Sequence, residues 1–216
     1  MKIFLDTSNV DIIRQHCETG LIDGVTTNPT LMMKTGKEPI EVIKEISSLF
    51  SKDASISAEV VGDTAEEMLS QAEDYYSINS NITIKVPCTS EGLKACKVLS
   101  DKNIAVNVTL IFSSEQAILS AKAGATYVSP FIGRCEDHEI DGIGLIKSIS
   151  KIHKANDIST QILAASIRNL NHVSQSFEAG ANVVTLPPSI FEEMYNHDLT
   201  DQGIDQFNKD WKKCKS

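Results

Sequence analysis

Eight times along the chain, a short run of β-branched and apolar residues gives way to a longer stretch of helical period. The runs fall near 2–6, 24–28, 55–61, 82–87, 105–111, 127–132, 161–166 and 183–187, and each has the length and composition of a strand. Pro39-Ile40-Glu41-Val42-Ile43-Lys44-Glu45-Ile46 and Gly144-Leu145-Ile146-Lys147-Ser148-Ile149 show the helical spacing between them. Thr64-Ala65-Glu66-Glu67 has the form of a capping box, and Gly20, Gly124 and Gly180 stand where helices are expected to end. Strands joined through helices run parallel, because a tight hairpin can only reverse the chain.

A parallel sheet of this kind either closes on itself or stays open with helices on both faces. An open, doubly wound sheet usually carries a Gly-rich phosphate loop after its first strand, and Asp6-Thr7-Ser8-Asn9 is not one. Eight units at roughly 27 residues each fit a small closed barrel. Ala123-Gly124-Ala125-Thr126-Tyr127-Val128 recurs as Ala179-Gly180-Ala181-Asn182-Val183-Val184, each a helix end running into a strand. The expectation is a single-domain (β/α)8 TIM barrel over residues 1–216, with an extra C-terminal helix at about 200–214. Ile204, Phe207 and Trp211 share one face of that helix. Either the face docks on its own barrel, which spacing favours, or it reaches a neighbouring subunit.

Composition narrows the function classes. A formal charge of −9 leaves no basic stripe for nucleic acid, while a few aimed arginines can still hold a phosphate locally. No run of 18 apolar residues exists to span a membrane, and Asp6 interrupts the N-terminus too early for a secretory segment. Five cysteines, an odd count without a CxxC pair, argue against a disulfide framework or zinc site and fit a reducing cytoplasm.

Barrel strands are buried on both faces, so polar residues within them need a reason. Thr83 and Lys85 alternate with Ile82, Ile84 and Val86. Asn107 and Thr109 alternate with Val106, Val108 and Leu110, and Ser57 and Glu59 with Ile56, Ala58 and Val60. Thr26 and Asn28 alternate with Val25, and Asp6 shares parity with Phe4, opposite Ile3 and Leu5. Apolar faces toward the helices then turn Asp6, Asn28, Glu59, Lys85, Asn107 and Thr109 into the lumen near the strand C-termini, where barrel sites form. Lys85 is either an exposed residue of a half-solvated strand or, given its Ile-x-Ile-x-Val setting, a buried amine with a lowered pKa that can attack a carbonyl. Asp6 and Glu59 are either acid–base partners or simple ion-pair partners of Lys85. His16, His138, His153, His172 and His197 fall outside the lumen-facing strand positions and show no metal spacing. Ser129 and Ser166 lack a strand-end histidine for a triad. Arg134 and Arg168, in the loops after the sixth and seventh strands, form a candidate phosphate clamp with Ser166.

Several stretches resemble the transaldolases, in particular the short branch that includes the fructose-6-phosphate aldolases. The similarity lies in Gly24-Val25-Thr26-Thr27-Asn28-Pro29-Thr30-Leu31, Ile84-Lys85-Val86-Pro87, Asn107-Val108-Thr109-Leu110-Ile111-Phe112-Ser113, Ser129-Pro130-Phe131-Ile132-Gly133-Arg134 and Ala164-Ala165-Ser166-Ile167-Arg168, in order along the chain. The resemblance implies that Lys85 forms a Schiff base with a ketose phosphate. It implies that Asp6 takes the C4 hydroxyl proton, and that Glu59 handles the Schiff-base protons through a water with Thr109. Thr26, Asn28, Asn107, Ser129 and Phe131 would hold the three-carbon unit, and Arg134, Ser166 and Arg168 the phosphate. No metal or organic cofactor, nucleic acid or membrane is implied, and short-branch members form homo-oligomers, pentamers or decamers.

Glu59 and Phe131 resemble the transaldolase side, where the aldolases carry Gln and Tyr, and Asn107 agrees. The expected reaction moves dihydroxyacetone from sedoheptulose 7-phosphate or fructose 6-phosphate to glyceraldehyde 3-phosphate or erythrose 4-phosphate, as in the pentose phosphate pathway. Two rivals remain: an aldolase releasing free dihydroxyacetone, and a non-catalytic sugar-phosphate-binding barrel. Phe131 as a mere packing residue is the alternative at that position.

Overall fold

The structure, a computed structural model, describes residues 1–214. Strand β1 (Lys2–Asp6) leads to α1 (Val10–Cys17), and β2 (Gly24–Thr26) to the short α2 (Pro29–Met33) and to α3 (Pro39–Ser48). The alternation continues with β3 (Ser55–Glu59), α4 (Ala65–Tyr76), β4 (Ile82–Pro87), α5 (Ser90–Asp101), β5 (Val106–Ile111) and α6 (Ser114–Lys122). Then β6 (Tyr127–Pro130) is followed by α7 (Ile132–Glu136) and α8 (Gly142–Ala155), and β7 (Gln161–Ala164) by α9 (Leu170–Glu178). Finally β8 (Val183–Leu186) precedes α10 (Pro188–Glu193) and α11 (Asp198–Cys214). Each strand pairs in parallel with the next, and β8 pairs with β1, so the eight close into one (β/α)8 barrel.

Three helices are short: α2 and α7, which exceed the expected one helix per unit, and α10, the eighth unit's own helix. Local chemistry explains two of them. Asn28 leaves the β2 ladder because its side chain accepts the Leu31 N–H at 3.0 Å, capping a helix that begins at Pro29. Pro188 likewise opens α10. The expected capping box at Thr64 and Glu67 is present, and Gly124 and Gly180 end α6 and α9 with φ of 88° and 102°.

Two apolar layers form. Ile56, Ile84, Val106 and Val108 face outward against the helices and are fully buried. Phe4, Tyr127, Leu163 and Val183 face inward and make the apolar floor of the lumen, with the Phe4 and Tyr127 rings edge to face at 6.0 Å. Phe4 fits because its ladder partner is Gly24: a Cβ there would lie 2.9 Å from the Phe4 ring and 2.3 Å from the Ser55 carbonyl oxygen.

β5 departs from simple alternation. Its register against β6 shifts between Val108 and Ile111, and Leu110 takes a positive φ of 61°. Leu110, expected on the apolar face with Val106 and Val108, is half-buried, and Ile111 takes the buried position. A bulge of this kind restores burial after one residue is left unpaired.

The C-terminal helix is also unlike its expectation. No residue of α11 is buried, and Ile204, Phe207 and Trp211 are 51%, 75% and 63% exposed, so the stripe is not packed into the barrel that carries it. Among the described residues, no helix is long and apolar enough to cross a membrane.

Gly24→Ala is expected to lower the unfolding free energy by about 1–3 kcal/mol through overpacking against Phe4 and the β3 backbone. Urea denaturation monitored by circular dichroism reads this as a fall in midpoint at constant slope.

Candidate active site

The inward polar residues are stacked in layers above the apolar floor. Lowest, the Ser55 and Thr83 hydroxyls bond at 2.8 Å. Above them the Asn107 amide donates to Ser57 Oγ at 3.3 Å and its carbonyl accepts from Ser129 Oγ at 2.6 Å. Across the lumen, Thr26 Oγ1 lies 2.8 Å from Asp6 Oδ1 and 2.6 Å from Thr185 Oγ1. A hydroxyl has one hydrogen. Donated to Asp6, it obliges Thr26 to accept from Thr185, which orders the three groups toward the carboxyl.

Lys85 stands at the top of this stack. Its ladder partner on β3 is Glu59, which puts both side chains on the lumen face at one level. Lys85 Nζ lies 2.8 Å from Glu59 Oε2 and donates to the Thr27 carbonyl at 3.0 Å, with only 6% of its side chain exposed. The exposed-strand alternative for Lys85 therefore does not hold, and the contact with Glu59 is compatible with either role for that carboxylate. Burial pushes the Asp6 carboxyl above its ordinary range, and nearby Glu59 pushes the same way; the Lys85 charge and the Thr26 hydrogen bond pull it down. The Thr109 hydroxyl is buried and has no hydrogen-bond partner among the described residues.

A cavity of about 150 Å³ gathers Asp6, Thr26, Asn28, Lys85, Asn107, Thr109, Ser129, Phe131, Arg134 and Ser166 on its wall. That is well below the ~300–1,000 Å³ of sites for drug-sized ligands, so it suits a fragment of a few carbons with the rest of a ligand at the mouth. Glu59 opens onto a neighbouring hollow of about 410 Å³ that Asn28 also lines. The Lys85–Glu59 pair thus joins the two spaces.

At the mouth, the Arg134 guanidinium carbon sits 4.9 Å over the Phe131 ring, and Phe131 packs on Phe112 at 5.9 Å. Ser166 takes a positive φ of 59°, a strained conformation of the kind that gathers at functional sites. Arg168, like Glu59, is absent from the cavity wall, and its two terminal nitrogens are forked onto the Asp137 carboxylate.

Sequence reasoning did not single out Thr185, Thr27 or Asp137. Thr185 carried a usable signal, since it shares parity with the inward Val183. Thr27 acts through its carbonyl and Asp137 through a contact across loops, and neither leaves a mark in local pattern.

Residues 3–216 match the family described as Transaldolase/Fructose-6-phosphate aldolase. A probable transaldolase of Paracoccus denitrificans is 51% identical over 213 residues, covering 99% of this chain and 97% of that protein. One of Symbiobacterium thermophilum is 48% identical over 215 residues, covering 100% and 99%. Among solved structures, a thiamine phosphate pyrophosphorylase from Pyrococcus furiosus superposes with a TM-score of 0.59 at 16% identity, over 86% of this chain and 85% of that one, a likeness of fold.

The raised Asp6 pKa sets a pH dependence. Between the ordinary value of 3.8 and the raised native value, the unfolded chain has lost a proton that the native protein keeps. Stability from this group is therefore full below 3.8 and declines as pH rises through the native value. Asp6→Asn, which keeps an acceptor for Thr26, is expected to raise the melting temperature relative to the parent at pH 7. The gain shrinks as pH falls toward 3.8; calorimetric scans across pH check the trend.

Proposed function

The chain belongs to the transaldolase/fructose-6-phosphate aldolase family, and from that premise we propose that it is a transaldolase working through a Schiff base on Lys85. The observation that carries this reading is a buried amine, Lys85, held against Glu59 at 2.8 Å in a lumen that also contains Asp6. An amine attacks a carbonyl only after giving up a proton, and Glu59 is the base within reach. Addition to the ketose C2 and loss of the C2 oxygen as water leave an iminium. Asp6 takes the proton of the C4 hydroxyl as the C3–C4 bond breaks; the bonding pair moves into the iminium, giving an enamine, and the aldose departs. The enamine C3 then bonds the carbonyl carbon of an incoming aldose phosphate, Asp6 returns the proton to the new alkoxide, and water releases the product ketose from Lys85. The raised proton affinity of Asp6 suits a group that both takes and returns a proton.

Asn28, Asn107 and Ser129, with Thr26 supporting Asp6, are proposed to hold the three-carbon unit in the small cavity. Glu59 and Thr109 handle the water of Schiff-base formation and release. Arg134, Ser166 and Arg168 are proposed to hold the phosphate beyond the mouth, so that the substrates are sugar phosphates such as sedoheptulose 7-phosphate, fructose 6-phosphate, glyceraldehyde 3-phosphate and erythrose 4-phosphate. Phe131 supports transfer over free aldol cleavage: its ring packs between Phe112 and Arg134 and has no hydroxyl to help protonate the enamine. We propose that residues 1–216 act as one cytoplasmic domain in a homo-oligomer, a pentamer or decamer. The exposed Leu199, Ile204 and Phe207 of α11 would then pack on a neighbouring copy.

Fructose 6-phosphate is expected to release glyceraldehyde 3-phosphate only when erythrose 4-phosphate is present, and Lys85→Met to abolish release. Equal release without the acceptor would make the enzyme an aldolase. Borohydride with a ketose is expected to fix the substrate covalently on Lys85; no adduct would leave a binding barrel. Light scattering is expected to give a mass several times 23.6 kDa, lowered by Phe207→Ser, and a monomeric parent removes the assembly.

A further inference from the structure

The mouth of the cavity is made by two segments from successive units, one running from β6 into α7 and one from β7 toward α9. The first carries Arg134 and the second Ser166 and Arg168. The strands themselves pair only at Tyr127 with Gln161 and Val128 with Ile162. Beyond them, the Ile132 and Gly133 N–H groups donate to the Ala165 and Ser166 carbonyls at 2.9 and 3.0 Å.

Two side-chain links extend this seam outward. His172, on the first turn of α9, is only 5% exposed. Its Nδ1 accepts the Arg168 backbone N–H at 3.3 Å, and its Nε2 lies 3.0 Å from Glu136 Oε2 at the end of α7. A ring nitrogen that accepts has no hydrogen, so the hydrogen sits on Nε2 and points at Glu136. The second link is the Asp137–Arg168 fork, in which the guanidinium holds the Asp137 carboxyl below its ordinary range. Arg168 reaches Asp137 by crossing Gly133, where a Cβ would stand 2.6 Å from Nε and 2.5 Å from the Ser166 carbonyl oxygen. An exposed pair contributes little by itself. A buried imidazole bonded at both nitrogens fixes a backbone position.

We propose that His172, with Asp137, is a positioning residue that locks the Ser166–Arg168 segment onto α7 and thereby sets selectivity for phosphorylated over unphosphorylated ketoses. The inference rests on the phosphate reading of Arg134, Ser166 and Arg168. Without the two links, the segments stay tied by the backbone bonds at Ile132 and Gly133, but the Arg168 end of the second is less fixed, and a phosphate has to order it on binding. A ketose with no phosphate arm, seated on Lys85 deep in the lumen, does not reach the seam.

The test is borohydride trapping on the full-length protein, with the half-saturating concentration measured for fructose 6-phosphate and for dihydroxyacetone. Their ratio is the readout. His172→Leu is expected to cut the preference for fructose 6-phosphate about tenfold, the effect of leaving one buried N–H without its acceptor. His172→Asn, whose carbonyl replaces Nδ1 as acceptor, is expected to restore most of it. Asp137→Ala, on the exposed link, is expected to reduce the ratio about threefold, as befits a surface pair, and provides the reading should His172→Leu not fold. An unchanged ratio in these variants, or equal weakening for both ketoses, overturns the inference and leaves the Schiff-base reading standing. Failure of the parent to trap fructose 6-phosphate in a manner lost in Lys85→Met overturns that reading, and the inference with it.

Discussion

A lysine inside a closed barrel can neither reach water by leaning out nor remain without partners, and much of the lumen is organised around that constraint. Lys85 is held by Glu59 and by the Thr27 carbonyl. Glu59 is in place because β3 and β4 pair with these two residues opposite each other. Asp6 feels both charges, and its ionisation is moderated by the Thr185–Thr26 hydroxyl pair. Removing Glu59 leaves the Lys85 charge buried with too little compensation, the costly case for an ion pair. Stability and chemistry therefore draw on the same few groups.

Much of this was legible in the sequence, since strand alternation is a two-state signal. A mid-strand residue in a barrel faces either the helices or the lumen, and the runs around Lys85, Asn107 and Glu59 are long enough to settle which. The run around Asp6 worked because Phe4 and Asp6 both point inward, one into the floor and one into the site. Alternation failed at Leu110, where a bulge changes the register after Thr109. It also ran past the true strand ends, because Asn28 and Phe131 look like strand residues by composition but cap or precede a helix.

What the sequence hid is tertiary. The spacing of Ile204, Phe207 and Trp211 marks an amphipathic helix without saying what covers it, and the barrel that carries it does not bury it. His172 reads as an ordinary helical residue until Arg168 and Glu136 are seen on either side of its ring. Arg168 follows the seventh strand as expected, yet its guanidinium is held by Asp137, an aspartate 31 residues earlier in the chain. Contacts across adjacent loops leave no period and no motif.

The pairing of β1 with β8 also bears on how the molecule is made. The ribosome delivers Phe4 and Asp6 well before Val183–Leu186, the strand that completes their surroundings. At about 5–20 residues per second, the first strand waits roughly 10–40 s with one edge unpaired. Until β8 emerges, that edge is an unpaired backbone row of the kind that invites pairing with another chain. Once closed, the barrel has no free edge in its central sheet, so the hazard belongs to synthesis and ends with it.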